Sequence, residues 1–171
     1  MHTVSGRVRV EADQNMFTRP DGPGSMTSEL SESESDELLC EAGVGVLAVT
    51  DGSDAYSVPE SFGYDGERLY FQFVYTDDSK KMAFLEETET VSFTVHEATP
   101  ARSVIVQGEV ERVPDDDESR AATAIAENAS IPTLNVYPGT GPDDIDIDYY
   151  QLTPSEITGR QFELYTPQKS E

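Results

Sequence analysis

Lysine is nearly missing from this sequence of 171 residues, which carries only Lys80, Lys81 and Lys169. Cysteine is confined to Cys40 and histidine to His2 and His96. One cysteine excludes an internal disulfide framework and a cysteine-based zinc site, and two histidines leave no multi-histidine metal centre. No run approaches the roughly 18 consecutive apolar residues of a membrane span. Nor does the apolar stretch of a signal peptide follow the first residues. A cytoplasmic chain with no membrane contact is expected. Basic residues are scarce as a class, 11 Lys+Arg against 34 Asp+Glu, for a formal net charge of −23. Such a surface repels a phosphate backbone, so a nucleic-acid partner is excluded.

The acids are spread over nearly every loop rather than gathered at one end. That spread suits molar salt, where screening over about 3 Å removes the self-repulsion, and it implies a halophilic archaeal source. Charge of this origin carries no information about substrate. Seven Phe and eight Tyr within a 36% hydrophobic content support a real core, and the length fits one domain. Residues 1–25 stand apart, with three arginines, the run Pro20-Asp21-Gly22-Pro23-Gly24 and no periodicity. They read as a flexible extension or leader, and Met26 opens the domain proper, residues 26–171.

Within that domain, Ser33-Glu34-Ser35-Asp36 reads as the cap of a short helix through Leu38, Leu39 and Ala42. Val44 to Thr50 is a β-branched strand ended by Asp51-Gly52. Tyr56 to Tyr64 reads as a second strand, turned back at Asp65-Gly66 into a third, Arg68 to Tyr75. Asp77-Asp78-Ser79 caps a helix over Lys80 to Glu87. Val91 to His96 and Ser103 to Val113 are two further strands. Asp115-Asp116-Asp117 opens an alanine-rich helix to Asn128, with acids at its positive end. After a Pro/Gly loop (Pro132 to Pro142), two strand-like pieces follow, Ile145 to Leu152 and Glu156 to Leu164, parted by Thr153-Pro154-Ser155. Many short strands with few helices between them imply a mainly β fold, a small β-barrel.

Several motifs fail on their own mechanics. Gly43-Val44-Gly45-Val46-Leu47-Ala48 fits a dinucleotide fingerprint, but the helix precedes the strand instead of following it. Asp144-Ile145-Asp146-Ile147-Asp148 lacks the glycine and the final glutamate of a calcium loop. Asn128-Ala129-Ser130 is a glycosylation sequon in a chain with no secretory signal, and His96 has no nucleophile at recognisable spacing.

Asp78-Ser79-Lys80-Lys81 is different. Two of three lysines stand side by side just inside a helix start, where free N–H groups and the dipole favour an anion. A phosphate or carboxylate fits there; a surface pair neutralising Asp77 and Asp78 is the other reading of the same residues. The neighbouring strands favour the anion. Pro59 interrupts Tyr56-Ser57-Val58-Pro59-Glu60-Ser61 and marks a bulge or a position without a ladder partner. Tyr70-Phe71-Gln72-Phe73-Val74 lies across the turn. A planar ligand with a phosphate tail could lie on these strands and reach the lysines.

At these residues the sequence resembles the pyridoxamine 5′-phosphate oxidase-related superfamily of FMN-binding split β-barrels, nearest the branch of the nitroimidazole-resistance flavoproteins. The matching segments are Gly45-Val46-Leu47-Ala48, Tyr56-Ser57-Val58-Pro59, Phe62 to Phe71, Ser79-Lys80-Lys81, Val91-Ser92-Phe93, Ser103 to Gly108, Leu152-Thr153-Pro154 and Ile157-Thr158-Gly159-Arg160. The resemblance spans residues 36 to 162. It implies a homodimer with FMN at the subunit interface: phosphate on Ser79, Lys80 and Lys81, and ring along Ser57, Val58, Pro59 and Gln72, Phe73, Val74. Arg102 and Ser103 are expected to add contacts from the second subunit. The expected function is FMN-dependent oxidoreduction of a small-molecule substrate or electron donor. Coenzyme F420 on the same barrel, or a non-catalytic flavin or haem carrier, is the alternative.

Two departures narrow the substrate. Gln72 stands where the nitroimidazole-resistance proteins commonly carry histidine, which argues against nitroreduction. Tyr149 and Tyr150 stand where the true oxidases carry substrate-binding Arg and His, which argues against vitamin B6 oxidation. No residue stands out as an acid or base; Tyr56, Tyr70 and Gln72 are the candidates for lining a substrate face.

Overall fold

The structure, a computed structural model, describes residues 27–129 and 144–162. The expected leader, the Pro/Gly loop and the end of the last strand lie outside the described residues. In chain order the elements are β1 (Thr27–Glu29), α1 (Glu32–Ala42), β2 (Val44–Thr50), β3 (Ala55–Ser61), β4 (Gly63–Tyr64) and β5 (Leu69–Tyr75). They continue with α2 (Lys80–Glu87), β6 (Val91–Ala98), β7 (Ala101–Arg112), a 3₁₀ turn (Asp115–Asp117), α3 (Glu118–Asn128) and β8 (Asp146–Phe162). All strand pairs are antiparallel and form one curled sheet in the order β3-β2-β6-β7-β8-β5-β4, with β1 added along the end of β8. This is the expected split β-barrel. Among the described residues no helix is long and apolar enough to cross a membrane.

Alternation sorts the strands. Leu47, Phe71, Phe73, Phe93, Val95, Val104, Val106 and Leu152 are fully buried inside the curl, as every second residue of a half-buried strand must be. Edge-on rings tie its layers together: Phe93 meets Phe62 at 5.0 Å and Phe71 at 5.2 Å between centroids. α3 covers part of the outer face by packing Ala121 and Ala124 against Tyr70 and Val113.

Three local expectations are corrected. The first helix is capped at Ser31, two residues earlier than expected. Ser31 and Glu34 bond reciprocally, Glu34 N–H to Ser31 Oγ at 3.3 Å and Ser31 N–H to Glu34 Oε2 at 2.8 Å. The stretch Tyr56–Tyr64 is two strands. β3 pairs with β2, whereas β4 pairs with β5, so the chain changes partner at Phe62. That residue is fully buried; its N–H bonds Gly43 O at 3.1 Å and its carbonyl accepts from Asn128 Nδ2 at 3.3 Å. The same amide reaches Leu39 O at 3.2 Å, which gives the sequon asparagine a structural role. Finally, the two C-terminal strands are one continuous β8. Thr153-Pro154-Ser155 is a bulge, where the register against β7 shifts between Gln107 and Gly108. A bulge tolerates a proline without breaking the strand, and Ser155 Oγ returns to Gln107 O at 3.1 Å. Gly108 allows the close approach, since any Cβ there would collide with the Thr153 carbonyl.

The Asp65-Gly66 turn forms as expected and is locked from outside. Asp65 accepts the N–H groups of Glu67 and Arg68 at 2.9 and 2.8 Å, the Tyr70 hydroxyl at 2.9 Å and Arg120 Nε at 2.6 Å. Partial burial works to raise its pKa, but the backbone and side-chain hydrogen bonds outweigh it and hold the carboxyl below its ordinary value.

Two predictions follow from this packing. At Gly63 a Cβ would run into the backbone of Ala124 and Ile125. Gly63→Ala should therefore destabilise the fold by about 2 kcal/mol, read by denaturant unfolding. A carboxylate depressed by folding adds stability that is complete above its unfolded pKa near 4 and disappears as pH falls through the folded value. Asp65→Asn should therefore cost about 1–3 kcal/mol at neutral pH and flatten the acid limb of the unfolding profile. An unchanged acid limb would remove Asp65 from the network.

Candidate functional site

Because β3 and β5 belong to opposite ends of the sheet path, they approach without forming a ladder. A cavity of about 320 Å³ opens in this split, roofed by the start of α2. β3 contributes Tyr56, Val58, Pro59 and Glu60, and β5 contributes Gln72 and Val74. Thr76, Asp78, Ser79, Lys80 and Lys81 close it.

α2 starts where its sequence requires. Ser79 is the N-cap, its hydroxyl accepting from Met82 N–H at 3.5 Å and its own N–H bonding Thr76 O at 2.9 Å. The first-turn N–H groups of Lys80 and Lys81 have no intrahelical acceptor by geometry. In α1 and α3 the first turn is acidic, as the dipole prefers, but in α2 it contains no acid and two lysines. Cations there work against the dipole by roughly 0.3–1 kcal/mol each. Aromatic rings hold them in place: Lys80 Nζ lies 4.9 Å from the Tyr56 centroid and 5.1 Å from that of Phe84, and Lys81 Nζ lies 4.2 Å from that of Phe73.

Lys81 also pairs with Glu60 at 2.6 Å, both side chains only 12% exposed. Its partner is thus a strand residue, not the neighbouring Asp77 or Asp78 of the alternative reading. Burial pushes the Glu60 carboxyl up, and the Lys81 charge and hydrogen bond only partly offset it. Sequence reasoning missed Glu60. The signal was available in the alternation of β3, which places residue 60 on the side of Tyr56 and Val58.

Of the eleven residues singled out from the sequence, Val58, Pro59, Gln72, Val74, Ser79, Lys80 and Lys81 line one cavity. Phe73 belongs to the core but supplies the ring beneath Lys81. Ser57 is exposed and points to the other face of β3. Pro59 causes no bulge: the register with β2 runs through it, Val46 opposite, as an edge strand permits. Arg102 and Ser103 begin β7 and line no part of this cavity. Arg102 is gripped by Glu97 at 2.6 Å, Glu41 at 3.3 Å and Glu37 at 3.5 Å. Tyr56 and Gln72 line the cavity, whereas Tyr70 lies buried under α3.

The outer face beside the cavity is short of charge. Cross-strand neighbours form two rows, Pro59-Val46-Thr94-Ile105 and Ser57-Ala48-Ser92-Gln107. None of the eight residues is charged, in a chain with 34 acids. A second cavity of about 560 Å³, between α1 and the Asp65-Gly66 turn, contains none of the residues singled out above.

Comparison with known proteins gives the lineage. A candidate pyridoxamine 5′-phosphate oxidase from Corynebacterium glutamicum is 26% identical, covers 85% of this chain and 100% of its own, and superposes with a TM-score of 0.63. An FAD-binding protein from Mesorhizobium loti is 23% identical, with 80% and 98% covered and a TM-score of 0.62. A candidate 5-nitroimidazole antibiotic resistance protein from Bacteroides thetaiotaomicron is 19% identical, with 80% and 87% covered and a TM-score of 0.60. No curated protein matches the sequence. The family model for pyridoxamine 5′-phosphate oxidase matches residues 31–161, from the Ser31 cap to the last turn of the sheet in β8. On that match, spanning every element that shapes the cavity, the chain belongs to the pyridoxamine 5′-phosphate oxidase family.

Proposed function

We propose that the cavity binds a flavin with a phosphate tail, FMN, and that the chain is an FMN-dependent oxidoreductase acting on a small molecule. The observation that carries this reading is the lysine pair set against the α2 dipole. A phosphate at that helix start would meet two ammonium groups and two free N–H groups, and would turn an unfavourable arrangement into charge-assisted hydrogen bonds. The rest of the cavity fits the other end of such a ligand. Val58, Pro59 and Val74 offer flat apolar surface, and Gln72 offers an amide to ring polar atoms.

When bound, the isoalloxazine would supply two-electron hydride chemistry between a donor and an acceptor. The residues' tasks are binding and orientation. Lys80, Lys81 and the α2 start fix the phosphate, the two strands fix the ring plane, and Tyr56 lines the approach. The name of the Mesorhizobium loti relative favours FAD as a second reading, and FAD shares both the ring and a phosphate. The uncharged rows support a homodimer through the outer sheet face. Pro59 belongs to both the rows and the cavity, which brings the flavin site to the edge of that interface.

The first experiment is the visible spectrum of purified protein, with uptake of added FMN and FAD. A flavin spectrum near one per chain supports the reading. A colourless protein that takes up neither flavin overturns it, and a deazaflavin or Soret band redirects it to F420 or haem. Lys80→Ala with Lys81→Ala should weaken FMN about 100-fold, since each charge-assisted bond is worth roughly 1.5–3 kcal/mol, while riboflavin, without phosphate, should be unaffected. Ile105→Glu should split the dimer in light scattering and lower flavin content, because the side chain is already 39% exposed in the protomer and its folding is undisturbed. A variant that stays dimeric would place the interface elsewhere.

A further inference from the structure

Two acids line the ligand cavity, Asp78 and Glu60, and Glu60 is the one paired with a lysine that a phosphate would need. Projecting from β3, it bonds Lys81 at 2.6 Å, with 12% of its side chain exposed. The phosphate reading above gives Lys81 a competing task. An ammonium has three donors, so it can touch two anions, but a phosphate dianion beside an ionised carboxylate is repelled at short range with little water to screen it.

We propose that Glu60 is a built-in competitor for the phosphate site: its ionised carboxylate occupies Lys81, and phosphate affinity rises when Glu60 takes up a proton. The inference rests on the flavin-phosphate reading and adds to it a residue that sets the strength and pH dependence of binding.

The surroundings leave Glu60 as the group that can act this way. On its own strand the other titratable group is Tyr56. The α2 side offers Lys80 and Lys81, and the turn before it offers Asp78; Asp78 and Lys80 are exposed and therefore screened. β5 lines the cavity with the uncharged Gln72 and Val74, and β2 places Gly45 opposite Glu60. Farther along β5, Tyr75 is bonded to Asp148 of β8, which Arg112 holds. Burial raises the Glu60 carboxyl from its ordinary value, against the charge and hydrogen bond of Lys81.

The sign follows directly. At low pH Glu60 is neutral, Lys81 is free for phosphate, and the protein behaves as Glu60→Gln. At high pH Glu60 is ionised and competes, and the two proteins diverge. The titration of the free ligand's phosphate is the same for both and cancels in their ratio.

The experiment measures dissociation constants of FMN and of riboflavin for the full-length apo protein and Glu60→Gln, by quenching of flavin fluorescence, at about pH 5 and about pH 8. Expected at the higher pH is FMN binding about tenfold tighter to Glu60→Gln, the size of one charge-assisted bond regained. That gap should shrink at the lower pH, and riboflavin should bind both proteins alike at either pH. Equal or weaker FMN binding by Glu60→Gln at high pH overturns the inference alone, since Glu60 would then be placing Lys81 rather than competing for it. A gap that appears equally with riboflavin also overturns it. Failure of both proteins to take up FMN or riboflavin overturns the flavin reading and this inference together.

Discussion

The fold turns on one residue step. β3 and β4 are the two ends of the hydrogen-bonded sheet path, yet only Phe62 separates them in the chain. The sheet must therefore curl until its ends meet, and the covalent backbone closes what hydrogen bonds leave open. Phe62 is fixed on every side, with its ring among core rings, its N–H on Gly43 and its carbonyl on Asn128. Releasing it would let the ends separate, and the cavity in the split would lose one wall. The site is in this sense a by-product of closure: a barrel fully zipped by hydrogen bonds would have no gap for a ligand.

Charge organises the rest. A chain with such an acid excess repels itself and any anion, so an anion site has to be assembled locally. Two lysines at a helix start do this. Rings beneath the ammonium groups fix their positions without neutralising them, and a single carboxylate tempers one of them. Elsewhere three arginines serve as cross-links. Arg102 gathers three glutamates, Arg112 holds Asp148, and Arg120 joins α3 to the Asp65 turn. These three arginines act as rivets between acidic elements, and the lysine pair is turned toward the cavity of the split.

Local signals in the sequence were legible wherever local physics decides the structure. The Asp65-Gly66 turn, the Ser79 cap and the strand alternation all read correctly because short-range sterics and hydrogen bonding set them. The place of Lys80 and Lys81 in the first turn of α2 read for the same reason, since a helix start is a local feature. Apart from the Ser31 cap, a local signal offset by two residues, the misreadings are non-local. That Tyr56–Tyr64 switches partner depends on β2 and β5 offering edges on opposite sides of the barrel. That Thr153-Pro154-Ser155 bends a strand without ending it depends on Gly108 across the ladder. The side chains gathered around Arg102 come from α1 and β6, elements remote from one another in sequence, and Glu60 meets Lys81 across 21 positions. Spacing along a chain carries no record of such meetings.

Pro59 has a consequence for the life of the protein in a crowded solution. β3 is an edge strand, and an edge with a free row of donors and acceptors invites strands from other molecules. A proline in its middle removes one donor and stiffens the backbone at that point. A residue that lines the binding cavity thus also spoils the template for open-ended, strand-by-strand polymerisation.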